Sequence, residues 1–194
     1  MKKALLIAVL MVSVMTVQSG YAQIQKGNFM VGGDATFDFG KSDGVKYSKT
    51  AINPTVAYFL VNRLALGLQG SLGATVYDRG SADARQFSTL AIGPLARFYF
   101  NENKFSVFAE AGYLHESLVV GPAEDFVLIS YTGQDENREQ YSYSHLDLGV
   151  GCSFFLNDHV SIDAILAYHK NLTENGYSRG QKQISLNFGF QIFL

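Results

Sequence analysis

Charged side chains are sparse in this sequence, and those inside its apolar stretches are the first candidates for chemistry. Lys, Arg, Asp and Glu make up 16% of the residues, against about 25% in a typical soluble domain. The charges that interrupt apolar stretches are Asp34, Arg97, Glu110, Asp147 and Asp163. Carboxylates beside a guanidinium either relay protons or ions through an interior or form a structural network of ion pairs.

A Ser and a His in the segment LHESL (114–118) are the second candidate. His115 and Ser117 could hydrolyse an ester if a third group oriented the imidazole, but the sequence offers no evident acidic partner. The four His share no spacing, and Cys152 is the only cysteine. We therefore predict no catalytic residue, no metal site, no cofactor and no intramolecular disulfide.

The first 22 residues are typical of a secretory signal peptide. Lys2 and Lys3 precede an apolar run over 4–17, and Gly20 and Ala22 occupy the small positions before a cleavage site. A membrane anchor is the alternative, but the run is shorter than the ~20 residues that a spanning helix needs. We predict cleavage after Ala22 and one mature domain over 23–194.

Hydrophobicity in this mature region alternates with period two in eight stretches. In the last one, ISLNFGFQIFL (184–194), apolar side chains take every second position, and Ser, Asn, Gly and Gln fill most of the others. Alternation places the two sets on opposite faces of a strand. Since the second face carries small polar residues rather than many Lys and Glu, the pattern favours strands that face lipid. The predicted fold is all-β, an eight-stranded antiparallel transmembrane up-and-down β-barrel.

The connections alternate between short and long. Short turns are predicted within 58–66, 98–107 and 154–162, and longer polar loops at 40–47, 78–85, 116–141 and 171–181. This pattern predicts short periplasmic turns, longer extracellular loops and two periplasmic termini. The barrel interior is only wide enough for its own side chains. We therefore predict no open pore and a structural polar network of Asp34, Arg97, Glu110, Asp147 and Asp163, above inward apolar side chains at Phe59, Tyr99, Phe108, Ile165 and Phe193.

The C-terminus resembles the signal that the outer-membrane assembly machinery reads, with Asn187, Gly189, Ile192 and Leu194 at the matching positions. Together with FLVNRLALGL and IGPLARFYF, it makes residues 27–194 similar to small eight-stranded outer-membrane proteins of the OmpX and OmpA-barrel type, the outer membrane protein beta-barrel domain family of Bacteroidota. The resemblance implies the outer membrane of a Gram-negative cell. The implied partners are its lipid and lipopolysaccharide, and the barrel assembly machinery during insertion. His115-x-Ser117 also resembles the His-x-Ser-Asn motif of a lipid A deacylase, although Leu118 replaces the Asn.

These features predict a non-enzymatic barrel with a structural or surface-interaction role. Its extracellular loops, chiefly 116–141, would form the recognition surface and the contact with a protein partner. Two alternatives remain: a subunit of a larger outer-membrane assembly, and a lipid A-modifying enzyme. A net charge of −2 gives no sign of nucleic-acid binding.

Overall fold

Eight antiparallel strands form a closed barrel in a computed structural model, which describes residues 24–42, 45–77, 85–122, 139–172 and 182–194. Each strand pairs with its sequence neighbours, and β1 pairs with β8. The strands are β1 (Phe29–Ser42), β2 (Val45–Val61), β3 (Leu64–Tyr77), β4 (Arg85–Tyr99), β5 (Phe105–Pro122), β6 (Glu139–Asn157), β7 (Val160–Asn171) and β8 (Lys182–Phe193). The predicted fold class is confirmed, whereas the signal peptide over 1–22 lies outside the described residues.

The two faces of the wall differ as the alternation predicts. On β2, Ile52 is 62% exposed on the outer face, while its neighbours Ala51 and Asn53 are buried in the lumen. Large apolar side chains cover the outside all around the barrel, a surface that soluble monomers rarely present. The wall is therefore built for hydrocarbon, and its backbone groups are paired within the ladders. No helix in the described part of the chain has the length and apolar character needed to cross a membrane.

One end of the barrel, here named the turn end, carries three short connections and the C-terminus. The β2–β3 turn at Asn62–Arg63 places Arg63 at a φ of 72°. In the β4–β5 connection, the side-chain nitrogen of Asn101 donates to the Phe105 carbonyl oxygen at 2.7 Å. The side-chain oxygen of Asn101 accepts from the Val107 backbone amide at 2.8 Å. These bonds replace the backbone pairs that a tight turn leaves unmade.

At the opposite end, here named the loop end, the predicted boundaries of 78–85 and 171–181 are confirmed, but those of the other two loops are wrong. β5 continues to Pro122 and β6 begins at Glu139, so the predicted loop 116–141 is partly strand. Val119 and Val120 favour extended backbone, and their amides and carbonyls continue the ladder with β6. The first predicted loop, 40–47, also shortens, because β1 pairs with β2 up to Ser42 opposite Val45. The segment FVLISY (126–131), whose β-prone residues could extend these two strands, lies outside the described residues.

An apolar layer fills the lumen at the turn end. Its members have no exposed surface: Ile24, Phe59, Tyr99, Phe108, Phe155, Ile165 and Phe193. The Tyr99 and Phe108 ring centroids lie 5.4 Å apart, and those of Phe155 and Phe193 lie 5.2 Å apart. Ile24 precedes the first strand and is held beneath the barrel by the Arg63 amide, which donates to its carbonyl oxygen at 2.8 Å.

Candidate functional site in the barrel lumen

A buried ion triad lies above the apolar layer. Arg97 on β4 is 2% exposed, and its Nη2 lies 2.7 Å from Glu110 Oε2 on β5. Its Nη1 lies 2.8 Å from Asp163 Oδ2 on β7, across the lumen. Ser161 donates to the other oxygen of Asp163 at 2.9 Å, and the guanidinium carbon lies 4.2 Å from the centre of the Phe108 ring. Every charge in this triad therefore has a partner, as burial requires.

Asp34, the next residue of the predicted network, lies in a separate hydrogen-bonded chain. The Asn53 amide donates to Asp34 Oδ1 at 2.7 Å and to Thr36 Oγ1 at 3.1 Å. Thr36 in turn donates to Asn187 Oδ1 at 3.1 Å, which joins β1 to β8 inside the seam. The structure thus brings Arg97, Glu110 and Asp163 into direct contact and gives Asp34 separate partners.

The residues of the predicted assembly signal close the barrel. Leu194 and Phe29 exchange two backbone hydrogen bonds of 2.9 Å each. Gly189 lies opposite Asp34, where an added Cβ would stand 2.2 Å from the Gly33 carbonyl oxygen. The side chains of Ile192 and Leu194 point outward and are 37% and 70% exposed. Their recognition by an assembly machinery remains a prediction.

A second polar cluster lies toward the loop end, around Asp147 on β6. His169 on β7 places Nδ1 2.7 Å from Asp147 Oδ1, and its Nε2 lies 2.9 Å from Ser185 Oγ on β8. His145 places Nε2 3.5 Å from the same Asp147 oxygen and Nδ1 3.4 Å from Glu116 Oε2 on β5. Imidazole and carboxylate are metal-ligating groups, and one ligand atom from each of His145, Asp147 and His169 lies within 4.8 Å of the others.

Sequence reasoning placed Asp147 inside the barrel but missed this cluster. It searched for His residues at a common spacing, whereas pairing of β6 with β7 is what sets Asp147 directly opposite His169. The sequence does contain a sign of this pairing. Both residues lie in the inward phase, and they are nearly the same number of residues away from the Asp158–His159 turn.

A cavity of about 50 Å³ lies between the triad and this cluster. That volume accommodates a few water molecules, at roughly 10–15 Å³ for each. Its charged lining residues are Asp34, Lys49, Glu110, Glu116 and Asp147. Since Glu110 is already paired with Arg97, three other acidic side chains against the Lys49 ammonium favour a cation in this space.

The Ser–His candidate lies on the outside of the barrel. His115 Nδ1 is 3.2 Å from Ser144 Oγ on the neighbouring strand, so the ring contacts a serine of β6. Within the described residues, no acidic side chain contacts His115. The arrangement lacks the orienting group of a catalytic triad.

The chain matches one family model and several solved barrel structures. The family model described as "Outer membrane protein beta-barrel domain" matches residues 4–191. No curated protein matches the sequence. Among solved structures, Neisserial surface protein A has a TM-score of 0.58 at 17% identity, over 86% of this chain and 99% of its own. OprG of Pseudomonas aeruginosa has a TM-score of 0.56 at 15% identity, over 88% and 97% of the two chains.

Two further barrels match with lower TM-scores. Ail, the attachment invasion locus protein of Yersinia pestis, has a TM-score of 0.51 at 19% identity, over 88% of this chain and 100% of its own. The outer membrane enzyme PagL matches at 15% identity over 84% and 98% of the two chains, but its TM-score of 0.45 carries no argument about activity. At these identities the solved structures establish the fold alone.

Proposed function

The chain belongs to the outer membrane protein beta-barrel domain family, and from that membership and its filled lumen we propose a non-conducting, non-enzymatic barrel that recognises partners at the cell surface. The observation that carries the proposal is the apolar layer at the turn end. Side chains with no exposed surface fill the barrel there, and the Arg97 triad lies directly above them. A lumen closed in this way leaves the loop end as the part of the molecule able to meet a partner.

The lengths of the strands support a role for the loop end. β5 and β6 have 18 and 19 residues, whereas β7 and β8 have 12 each. Crossing a bilayer takes about 9–11 residues of tilted strand. Because the turn end is formed by tight turns, the additional residues of β5 and β6 extend beyond the loop end. The recognition surface is therefore the β5–β6 hairpin, that is, segment 116–141 with both of its strand roots.

The same proposal fixes an orientation. The turn end and both termini face the periplasm, and the loop end faces outward, amid the phosphates of lipopolysaccharide. Cell-surface lipid and the barrel assembly machinery are the general partners, and a protein bound by segment 116–141 is the specific one. Short turns on the periplasmic side are the common arrangement in barrels of this kind.

The test uses intact cells and a matched pair of loop variants. Residues 123–138, between β5 and β6, are replaced by a short Gly-Ser turn, and residues 173–181, between β7 and β8, are replaced in the same way as the control. After cross-linking, the tagged barrel is recovered and its companions are identified by mass spectrometry. We expect a companion that is lost with the first replacement and kept with the second. Loss with both or with neither contradicts recognition by this hairpin.

The alternatives make different predictions in the same cells. A subunit of a larger assembly, joined through its wall or through segment 116–141, would retain a stoichiometric companion after mild solubilisation, whereas a stand-alone surface barrel would migrate alone. A lipid A-modifying enzyme would change the lipid A mass spectrum on expression, and Ser117→Ala or Ser144→Ala would abolish the change. A pore would carry an ionic current across a planar bilayer, whereas we expect no current above that of the bare bilayer.

A further inference from the structure

We propose that the loop-end half of the lumen binds one divalent transition-metal ion of the Zn²⁺ class through His145 Nε2, Asp147 Oδ1 and His169 Nδ1. Asp147 is central to the site, because both imidazoles approach the same carboxylate oxygen. The two strands that carry these residues are adjacent and directly paired. The proposal is independent of the recognition role of the β5–β6 hairpin.

One separation among the three atoms matches that of two ligands on a shared ion, and the others would need side-chain shifts. Zn²⁺ binds nitrogen and carboxylate oxygen at about 2.0–2.2 Å, so two ligands at a tetrahedral angle stand roughly 3.4 Å apart. His145 Nε2 lies 3.5 Å from Asp147 Oδ1, at the long end of hydrogen-bond distances and close to this ligand separation. His169 Nδ1 is 2.7 Å from the same oxygen, and all three atoms lie within 4.8 Å of one another. Side-chain shifts of about an ångström would complete the geometry.

The opposite nitrogen of each imidazole faces a group that would orient it. His169 Nε2 lies 2.9 Å from Ser185 Oγ, which leaves Nδ1 directed at Asp147. His145 Nδ1 faces Glu116 Oε2 at 3.4 Å, and Tyr143 donates its hydroxyl to the other oxygen of Glu116. Metal-ligating histidines almost always make such a second contact, to a carboxylate, a carbonyl or water.

His145 carries a buried ring nitrogen that makes no hydrogen bond within the described residues. The residue is 8% exposed, and this nitrogen, Nδ1, has only the 3.4 Å ion-pair contact with Glu116 Oε2. A buried polar atom without a hydrogen bond lowers the stability of the fold. An ion on Nε2 would place the ring proton on Nδ1 and strengthen its attraction to Glu116. The same ion would offset the excess of carboxylates that line the cavity.

The donor set selects the class of ion. Two imidazoles and one carboxylate suit Zn²⁺ and neighbouring first-row ions, whereas Ca²⁺ and Mg²⁺ prefer an all-oxygen shell. Three protein ligands leave a fourth position, which the adjoining cavity would supply with water. The bound ion would connect β6 to β7 directly and β5 through Glu116, and so stiffen the base of the β5–β6 hairpin.

The experiment uses the refolded barrel without a polyhistidine tag, in detergent micelles and stripped with a chelator. Cys152→Ser is the background, which removes the only thiol. Co²⁺ is titrated in as a coloured probe, followed by its visible absorption, and Zn²⁺ then displaces it. The site variants are His169→Ala and Asp147→Asn, and His115→Ala and His159→Ala are the matched controls, each of which removes a histidine outside the cluster.

We expect one Co²⁺ for each barrel and a loss of affinity of at least about tenfold in both site variants. The controls should bind within about twofold of the parent. The shift in mobility between heated and unheated gel samples shows which variants have folded. If a site variant does not fold, Glu116→Gln, which leaves the three ligands in place, should still weaken binding. Absence of one-to-one binding in the parent, or an equal loss in the histidine controls, overturns the proposal.

Discussion

Replacing Arg97 by Met tests whether the buried triad stabilises the barrel. The substitution keeps an apolar stem of similar length and removes the only guanidinium that contacts Glu110 and Asp163 among the described residues. Asp163 has no exposed surface, so its carboxylate would remain in the lumen without a counter-ion. Breaking a buried ion pair in this way costs about 3–5 kcal/mol, roughly a 100-fold to several-thousand-fold change in the unfolding equilibrium.

The chain contains a matched control at its surface. Arg63 Nε and Glu102 Oε1 are 2.6 Å apart, closer than either pair of the triad, but the Arg63 side chain is 45% exposed. Exposed pairs contribute about 0–1 kcal/mol, so Arg63→Met should be nearly neutral. The free energy of unfolding is measured by urea titration of the refolded barrel in micelles, followed by circular dichroism, because the sequence contains no Trp.

A triple variant tests whether the loss of stability comes from buried carboxylates that lack a counter-ion. Changing Glu110 to Gln and Asp163 to Asn in the Arg97→Met protein removes both stranded carboxylates and should restore at least half of the lost stability. If Arg97→Met and Arg63→Met cost the same, or if the triple variant is no more stable than Arg97→Met alone, the reasoning from burial is wrong.

Two further predictions concern the wall and its closure. Gly93→Ala should lower the free energy of unfolding by about 1–3 kcal/mol, because the added Cβ would stand 1.8 Å from the Tyr113 carbonyl oxygen. Gly70→Ala is the control, since the nearest atom to its added Cβ would be 3.3 Å away. It should change the free energy of unfolding by less than half as much. Deleting Leu194 removes two hydrogen bonds to Phe29 and should reduce the folded barrel recovered from outer membranes, whereas Leu194→Phe should assemble normally; wild-type recovery of the deletion would refute the role of the C-terminal signal.

The direction in which each side chain points was predictable from the sequence, because a strand has a strict period of two. On that basis Asn53 belongs inside and Ile52 outside, and the structure places them so. The adjacency of Arg97 and Glu110 also follows from the short turn between their strands. Their contact with Asp163 depends on the curvature of the whole barrel, which no local pattern contains.

Other features depended on information that alternation does not carry. The loop 116–141 was assigned too broadly because its polar residues mask a continuing ladder. Ile24 precedes all strands, so no period marks it as part of the apolar layer. The cluster of His145, Asp147 and His169 requires the register of β6 with β7, which is shifted near the turn between Phe155 and Asn157.

The β1–β8 seam has a consequence for the kinetics of the molecule. Its ladder joins residues 30–36 to 187–193, whereas β5 and β6 pair over 105–120 and 139–154. The shortest of these ladders therefore closes the longest chain loop, and loop-closure entropy rises with loop length. We expect the seam to form last and to open first in detergent, so its amides should exchange hydrogen before those of β5–β6. In a bilayer, an open seam would expose unpaired backbone groups to hydrocarbon. The surrounding lipid should therefore slow the opening of the seam.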